Sequence, residues 1–78
     1  MAISVRYFAS LRERMGCNED RVDFVPGMTV SGLWAVLRGG EESLEEGVLV
    51  AVNYDYVKPD QVLSDGDEVA FFPPVTGG

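Results

Sequence analysis

A chain of 78 residues has room for one hydrophobic core, which predicts a single domain. Its 13 acidic and 6 basic residues give a net charge of −7, which argues against binding to nucleic acid or an anionic membrane and favours a partner with a basic face. Without histidine, and with Cys17 as the one cysteine, the chain excludes an internal disulfide and argues against a zinc or iron–sulfur site. No apolar run reaches membrane-spanning length and no signal peptide is visible, so we expect a cytoplasmic protein.

The first predicted elements are a strand and a short helix. Apolar and polar side chains alternate over residues 2–9, which indicates a strand with one buried face. The buried side is expected to carry Ile3, Val5 and Tyr7, and the other side Ser4, Arg6 and Phe8. Ser10 stands three residues before Glu13, as in a capping box, and Gly16 suits a helix end, so a helix is expected at residues 10–15.

A second strand and the main helix come next. Residues 20–25 alternate again, and Pro26-Gly27 predicts the turn that ends this strand. Thr29 is expected to cap a helix that ends at Gly39-Gly40. The apolar residues of this helix form a stripe that should lie on the sheet, namely Val30, Leu33, Trp34 and Leu37.

The rest of the chain predicts three more strands. Residues 48–53 are nearly continuously apolar, as in a buried strand, and a short strand at 56–58 follows a turn at 53–55. A tight turn at 64–67 leads to a last strand at 68–72, with Val69 and Phe71 inward and Ala70 and Phe72 outward. One amphipathic helix on a small mixed sheet is a two-layer α+β domain. A β-grasp arrangement is the economical solution, with the first and last strands adjacent and parallel in the middle.

Three further features have competing interpretations. The acidic connection at 41–46 is either a docking patch for a basic partner or a solvated loop, and we favour the loop. The segment 65–68 lacks the ligand count of a calcium site, so we favour a turn. Cys17 lies far along the chain from the C-terminal residues, and we favour a loop or partly buried thiol over a persulfide carrier.

The strand periodicity also predicts an exposed aromatic patch. Phe8 and Phe72 fall on the outward sides of strands expected to be neighbours, and Tyr56 is out of phase with Val57. An exposed apolar patch usually marks a surface that binds a partner. The alternative is that Phe8 and Phe72 cover a second small core under the loops, and we favour the partner surface.

The last residues predict a flexible tail with a free carboxylate. Gly77 and Gly78 put no side chain beside that carboxylate, which suits a tail that threads a narrow channel and presents its carboxyl carbon. Pro73-Pro74 remove two backbone donors, so they end the strand and stiffen the exit. We therefore expect a domain at 1–74 and a tail at 75–78.

Three stretches carry a family resemblance. Residues 71–78 read Phe-Phe-Pro-Pro-Val-Thr-Gly-Gly after the run Leu-Ser-Asp-Gly-Asp-Glu-Val-Ala at 63–70. Residues 5–13, closed by Gly16, and the sequence Ala-Val-Asn at 51–53 add to the pattern. With these stretches the whole chain resembles the small, sulfur-carrying subunit of molybdopterin synthase, a ubiquitin-like β-grasp protein. A terminal Gly-Gly alone would be weaker, because all ubiquitin-like carriers share it.

The resemblance implies a carrier that is not an enzyme on its own. It implies that a ubiquitin-activating-type adenylating enzyme uses ATP to convert the Gly78 carboxylate to an acyl adenylate. A separate sulfur donor then displaces AMP and leaves a thiocarboxylate. The tail would next enter the large catalytic subunit of the synthase and give its sulfur to cyclic pyranopterin monophosphate, building the dithiolene of molybdopterin. ATP is consumed on the adenylating partner, so no cofactor is expected to stay bound to this chain, and a heterotetramer is implied.

The resemblance also implies which residues act. Gly77 and Gly78 form the reacting end of the chain. Contacts to the partner are implied at Phe8, Arg12, Tyr56, Phe72, Pro73, Pro74, Val75 and Thr76. For Arg12, ordinary surface charge on the first helix is an equally good explanation.

Other functions remain open at this stage. Sulfur carriers for thiamine synthesis or tRNA thiolation share the Gly-Gly ending but usually lack the Phe-Phe-Pro-Pro approach. A ubiquitin-like modifier would be joined to lysines, and a plain β-grasp binding module would have no C-terminal chemistry. The sulfur-carrier subunit of molybdopterin synthase is the function we expect.

Overall fold

The computed structural model describes residues 1–40 and 47–73, which form two helices and five strands. In chain order these are β1 (Ala2–Tyr7), α1 (Ser10–Met15), β2 (Glu19–Asp23), α2 (Val30–Arg38), β3 (Leu49–Val52), β4 (Asp55–Val57) and β5 (Glu68–Phe72). Every predicted element is present, with ends within two residues of the predicted ranges. The acidic connection at 41–46 lies outside the described residues, so its interpretation stays a prediction.

The strands form one mixed sheet in the order β2-β1-β5-β3-β4. At its centre β1 and β5 run parallel, with Val5 opposite Val69 and Tyr7 opposite Phe71. The outer pairs, β2 with β1, β3 with β5 and β4 with β3, are all antiparallel. The predicted β-grasp arrangement, with the first and last strands adjacent and parallel, is therefore confirmed.

One face of the sheet and α2 enclose the hydrophobic core. Alternate residues of the central strands are buried there, namely Ile3, Val5, Tyr7, Val69 and Phe71. From α2 the fully buried residues are Val30, Leu33 and Trp34, and the Trp34 ring lies 4.9 Å from the Phe71 ring, centroid to centroid. Burying a large apolar side chain in this way stabilises the fold by about 1.5–3 kcal/mol. Because strand side chains alternate, the residues between these lie on the opposite face of the sheet.

The main helix begins and ends at the predicted residues. The Thr29 hydroxyl oxygen accepts a hydrogen bond from the Gly32 N–H at 3.1 Å, as an N-cap does. At the other end Gly39 adopts a φ of 79°, and its N–H donates to the Ala35 carbonyl. Leu37, the last residue of the predicted stripe, is only partly buried at the margin of the core.

The capping box predicted for α1 is wrong. Ser10 is the first helical residue, and the cap position is Ala9, which has a φ of 54° and makes no side-chain cap hydrogen bond. The chain bends sharply at Ala9 and brings Leu11 into the core, where it is fully buried. The Phe8 and Ala9 carbonyls accept hydrogen bonds from the N–H groups of Leu11 and Arg12 at 3.2 and 3.1 Å. Tertiary burial of Leu11 thus shifts the helix start by one residue from its local signal.

Two loop predictions can also be compared with the structure. The turn at 64–67 is confirmed, since Gly66 has a φ of 86° and the Asp67 carboxylate accepts a hydrogen bond from the Ser64 N–H at 2.8 Å. Cys17 lies exposed in the connection between α1 and β2, as a loop thiol. Neither helix of the described ranges is long and apolar enough to cross a bilayer.

Candidate partner-binding site

Three aromatic side chains meet on the face of the sheet opposite the core. We call Phe8, Tyr56 and Phe72 the aromatic cluster. The Phe8 and Phe72 rings stack with centroids 4.8 Å apart and planes 12° apart, and the Tyr56 centroid lies 6.0 Å from that of Phe72. Phe8 is 39% exposed and Tyr56 71% exposed, whereas Phe72 is half-buried. The predicted grouping is confirmed, and this exposure contradicts the alternative of a second buried core.

Strand register explains why these rings meet. Tyr7 lies opposite Phe71, and the Phe8 N–H donates a hydrogen bond to the Phe71 carbonyl at 3.1 Å. The next residue on each strand, Phe8 and Phe72, therefore points to the opposite face, side by side. On the neighbouring strands Ala51 lies opposite both Tyr56 and Ala70. The small side chains of Ala51 and Ala70 leave a hollow beside the Phe72 ring.

The hollow is a groove of about 170 Å³ on the outer face of the sheet. It is lined by Arg6, Phe8, Ala51, Tyr54, Tyr56, Glu68, Ala70 and Phe72. Arg6 and Glu68 form an ion pair with Nε and Oε1 3.0 Å apart, and both side chains remain in contact with solvent. Such a pair stabilises the fold by at most about 1 kcal/mol. An aromatic centre with polar groups around it is the composition of a protein–protein interface.

The turn between β3 and β4 forms one wall of the groove. Its two residues, Asn53 and Tyr54, have φ values of 50° and 73°, as in a two-residue type I′ hairpin turn. The Asn53 amide nitrogen donates to the Asp67 carboxylate at 2.9 Å, and its amide oxygen accepts from the Glu68 N–H at 3.0 Å. These bonds hold the turn against the start of β5.

Tyr54 is a candidate residue that the sequence analysis missed. A tyrosine in the left-handed region costs about 1–2 kcal/mol relative to glycine, which type I′ turns favour at this position. The Tyr54 side chain is nevertheless 89% exposed. A bulky residue after Asn53, where Asn-Gly is the common pair, was the available signal in the sequence.

Arg12 lies beside the aromatic cluster rather than in the groove. It is exposed on α1 and borders a separate depression of about 270 Å³ together with Arg6 and Phe8. Arg6, which was predicted on the outward side of β1, lines both depressions. Arg12 puts positive charge next to the aromatic rings in a protein whose net charge is −7, whereas the charge of Arg6 is paired with Glu68.

The chain leaves the sheet at the aromatic cluster. Phe72 is the last residue of β5, and half-buried Pro73 follows it. The predicted site residues Pro74, Val75, Thr76, Gly77 and Gly78 lie outside the described residues. Their roles and the domain boundary at 74 therefore stay predictions. What the structure shows is the end of β5, where Phe72 lines the groove.

The titratable groups of the described residues are dispersed. Within residues 1–40 and 47–73 no three His, Cys, Asp or Glu side chains gather into a metal-ligand set. The Tyr7 hydroxyl is buried on the core side and has no hydrogen-bond partner among these residues. Burial raises the pKa of Tyr7 well above its usual value, and the nearby Asp20 carboxylate raises it further. Tyr7 is therefore a neutral core residue at physiological pH.

Comparison with known proteins assigns this domain to a class. Residues 5–78 match the ThiS family. The chain is 45% identical to the molybdopterin synthase sulfur carrier subunit of Escherichia coli (strain K12), covering 97% of this chain and 99% of that protein. It is 37% identical to the molybdopterin synthase sulfur carrier subunit of Chlamydomonas reinhardtii, over 100% of both chains.

Solved structures show the same fold. SAMP1, the small archaeal modifier protein 1 of Haloferax volcanii, superposes with a TM-score of 0.85 at 28% identity and covers 100% of both chains. A complex of subunits 1 and 2 of the molybdopterin-converting factor from Helicobacter pylori gives a TM-score of 0.64 at 26% identity, again over 100% of both chains. The fold and the site thus define a ubiquitin-like β-grasp protein with an exposed aromatic cluster on its sheet. The chain belongs to the ThiS family, and its full-length curated relatives are molybdopterin synthase sulfur carrier subunits.

Proposed function

We propose that this chain is the sulfur carrier subunit of a molybdopterin synthase. A ubiquitin-activating-type enzyme adenylates the Gly78 carboxylate with ATP, and a sulfur donor converts the adenylate to a thiocarboxylate. The large catalytic subunit then receives the tail and uses its sulfur to build the dithiolene from cyclic pyranopterin monophosphate. The domain provides the docking surface, and its partners provide the catalysis.

The position of the aromatic cluster carries this proposal. The cluster lies where the chain leaves β5, so a large subunit bound over Phe8, Tyr56 and Phe72 would hold the domain next to the start of the tail. The four residues after Pro74 reach at most about 13–14 Å when extended. That length lets the tail enter a pocket while the domain stays outside. The full-length relatives and the two-subunit complex from Helicobacter pylori support the same assembly.

The chemistry of the tail fits activation by a partner. A carboxylate is a poor acyl donor, because resonance spreads its charge and the leaving oxygen is strongly basic. Adenylation installs AMP as the leaving group. Attack by sulfur then forms a C–S bond and breaks the C–O bond to AMP. The sequence contains no phosphate-binding loop motif, so we assign the ATP site to the adenylating partner.

Intact-mass analysis tests the proposal. The chain incubated with the adenylating partner, ATP and sulfide should gain the mass difference between oxygen and sulfur, confined to the C-terminal peptide. Adding the large subunit and cyclic pyranopterin monophosphate should reverse that gain and produce molybdopterin. Deletion of Gly78 is the control and should abolish both changes without altering the circular dichroism spectrum. A chain that never gains sulfur, or never transfers it to the pyranopterin, contradicts the proposal.

A ubiquitin-like modifier is the second candidate, because a small archaeal modifier protein shares the fold over the full length of both chains. A modifier would be recovered from cells joined through isopeptide bonds to larger proteins. A carrier would be recovered as the free chain with sulfur at its end. A carrier for thiamine synthesis or tRNA thiolation would gain sulfur in the same assay but would fail at the pyranopterin step.

A further inference from the structure

Tyr54 combines a strained backbone with an exposed aromatic ring. Its φ of 73° lies in the left-handed region, and its side chain is 89% exposed. A side chain this exposed adds little packing to the monomer, whereas its backbone conformation destabilises the monomer relative to glycine. Strained residues that the fold does not need cluster at functional sites. The Tyr54 ring is therefore expected to contribute to binding rather than to the stability of the isolated chain.

The turn presents Tyr54 at a fixed position. Asn53 binds the Asp67 carboxylate and the Glu68 N–H through its side chain, and its own N–H donates to the Glu68 carbonyl at 2.8 Å. On the other side of the turn, Val52 pairs with Asp55. A ring held on a pinned turn loses little entropy on binding, which is one reason why tyrosine is common at binding hot spots.

The position of this ring relates it to the groove. Tyr54 borders the same groove as Tyr56 and Phe72, at the wall formed by the β3–β4 turn. The aromatic surface therefore continues from Phe72, at the end of β5, to the tip of this hairpin. Exposed Asp55 follows Tyr54 directly, so acidic charge adjoins the ring.

We propose that Tyr54 is an anchor for the large catalytic subunit, inserting its ring into an apolar cleft with a basic rim. This inference rests on the proposed function and adds a specificity-determining residue to the proposed interface. The contact extends docking beyond the aromatic cluster, to the end of the sheet away from the tail exit. The strain at Tyr54 is retained because glycine would relieve it only by removing the ring.

Comparison of Tyr54→Gly with Tyr54→Phe tests the proposal. Binding of the full chain to the large subunit is measured by calorimetry, and stability by urea unfolding of the same preparations. Tyr54→Gly should weaken binding at least tenfold while the urea midpoint stays the same or rises. Tyr54→Phe keeps the ring and should bind within threefold of the wild type. A purely structural role for Tyr54 would instead lower stability and binding together.

Each other outcome has one meaning. Wild-type affinity of Tyr54→Gly overturns the anchor, and so does a lower urea midpoint that accompanies the loss of binding. Binding of Tyr54→Phe as weak as that of Tyr54→Gly overturns the assignment to the ring. If the wild-type chain itself does not bind the large subunit, the proposed function fails, which is distinct from failure of the anchor alone.

Discussion

The Phe8 and Phe72 rings stack with centroids 4.8 Å apart, although one residue follows the first strand and the other ends the last. The parallel pairing of β1 with β5 creates this contact, because Tyr7 opposite Phe71 places the next residue of each strand side by side on the outer face. The same pairing positions Phe72, the last residue of β5. The proposed docking surface and the end of β5 thus depend on one strand pair.

Phe72→Asp should leave the fold intact and abolish docking. The Phe72 ring is half-buried against Phe8 and Tyr56 on the outer face and contributes nothing to the main core. A carboxylate there would be desolvated on binding, so affinity for the large subunit should fall at least about 100-fold, or about 2.7 kcal/mol. Calorimetric titration measures this loss, and circular dichroism checks the fold.

The matched control is Val25→Asp, which adds the same charge at an exposed apolar residue outside the groove. We expect this variant to bind like the wild type. Equal losses in the two variants would show that added negative charge, rather than the aromatic cluster, determines affinity. Unfolding of Phe72→Asp would count against the interface.

Tyr7→Phe should stabilise the protein or leave its stability unchanged at neutral pH. The Tyr7 hydroxyl is buried without a partner among the described residues, and such a group costs about 1–3 kcal/mol. Urea unfolding at pH 7 measures the difference. A clear loss of stability would mean that the hydroxyl makes a stabilising interaction.

Tyr7→Phe should also change how the free energy of unfolding depends on pH in alkaline solution. Burial raises the pKa of Tyr7 in the folded state above its ordinary value of 10.0, so above that pH the unfolded chain releases the proton first. The unfolded state then binds fewer protons, and the free energy of unfolding falls by up to about 1.4 kcal/mol per pH unit. Ionisation of Tyr7 therefore leaves the free energy of unfolding unchanged below about pH 10 and lowers it as the pH rises further. Tyr7→Phe should flatten this fall, and an unchanged slope would contradict the assignment.

Thr29→Ala should destabilise the protein by about 1 kcal/mol. The variant removes the hydroxyl that accepts the Gly32 N–H at 3.1 Å and leaves that donor of the first turn without its cap. Thr29→Ser retains the oxygen and should keep most of the stability. The urea midpoints of the two variants measure the cap, and equal losses would show that the Thr29 methyl group matters instead.

Gly32→Ala should stabilise the protein by about 1 kcal/mol through helix propensity. An added Cβ would lie 3.5 Å from the Thr29 hydroxyl oxygen, which is an ordinary contact distance. Gly39→Ala is the matched control. Its Cβ would meet nothing within 4 Å, but Gly39 has a φ of 79°, so alanine there should destabilise by about 1 kcal/mol. Thermal unfolding should give opposite signs for the two changes, and equal signs would refute the conformational argument.

The sequence by itself determined the local features. Alternation along residues 68–72 identified the inward and outward side chains of β5, and the caps at Thr29 and Gly39 follow from residue chemistry within one helical turn. These features depend on neighbours a few residues away, so they are readable from the chain. They were sufficient for the fold class and for the prediction that Phe8 and Phe72 face outward.

The sequence predicted that Phe8 and Phe72 meet, whereas only the tertiary structure decided how close Tyr56 comes to Phe72 and which backbone positions are strained. Periodicity indicates which side chains of a strand share a face, but it does not identify the neighbouring strand in the sheet. The contact between Tyr56 and Phe72 depends on how β3 pairs with β4 and with β5. Ala9 became the cap of α1 because burial of Leu11 outweighs the local signal of Ser10. The left-handed conformation of Tyr54 likewise arises from the hairpin and from the bonds of Asn53 to β5. Pairing between segments that are distant in the sequence fixes these positions. The pattern within one segment does not show which other segment it pairs with.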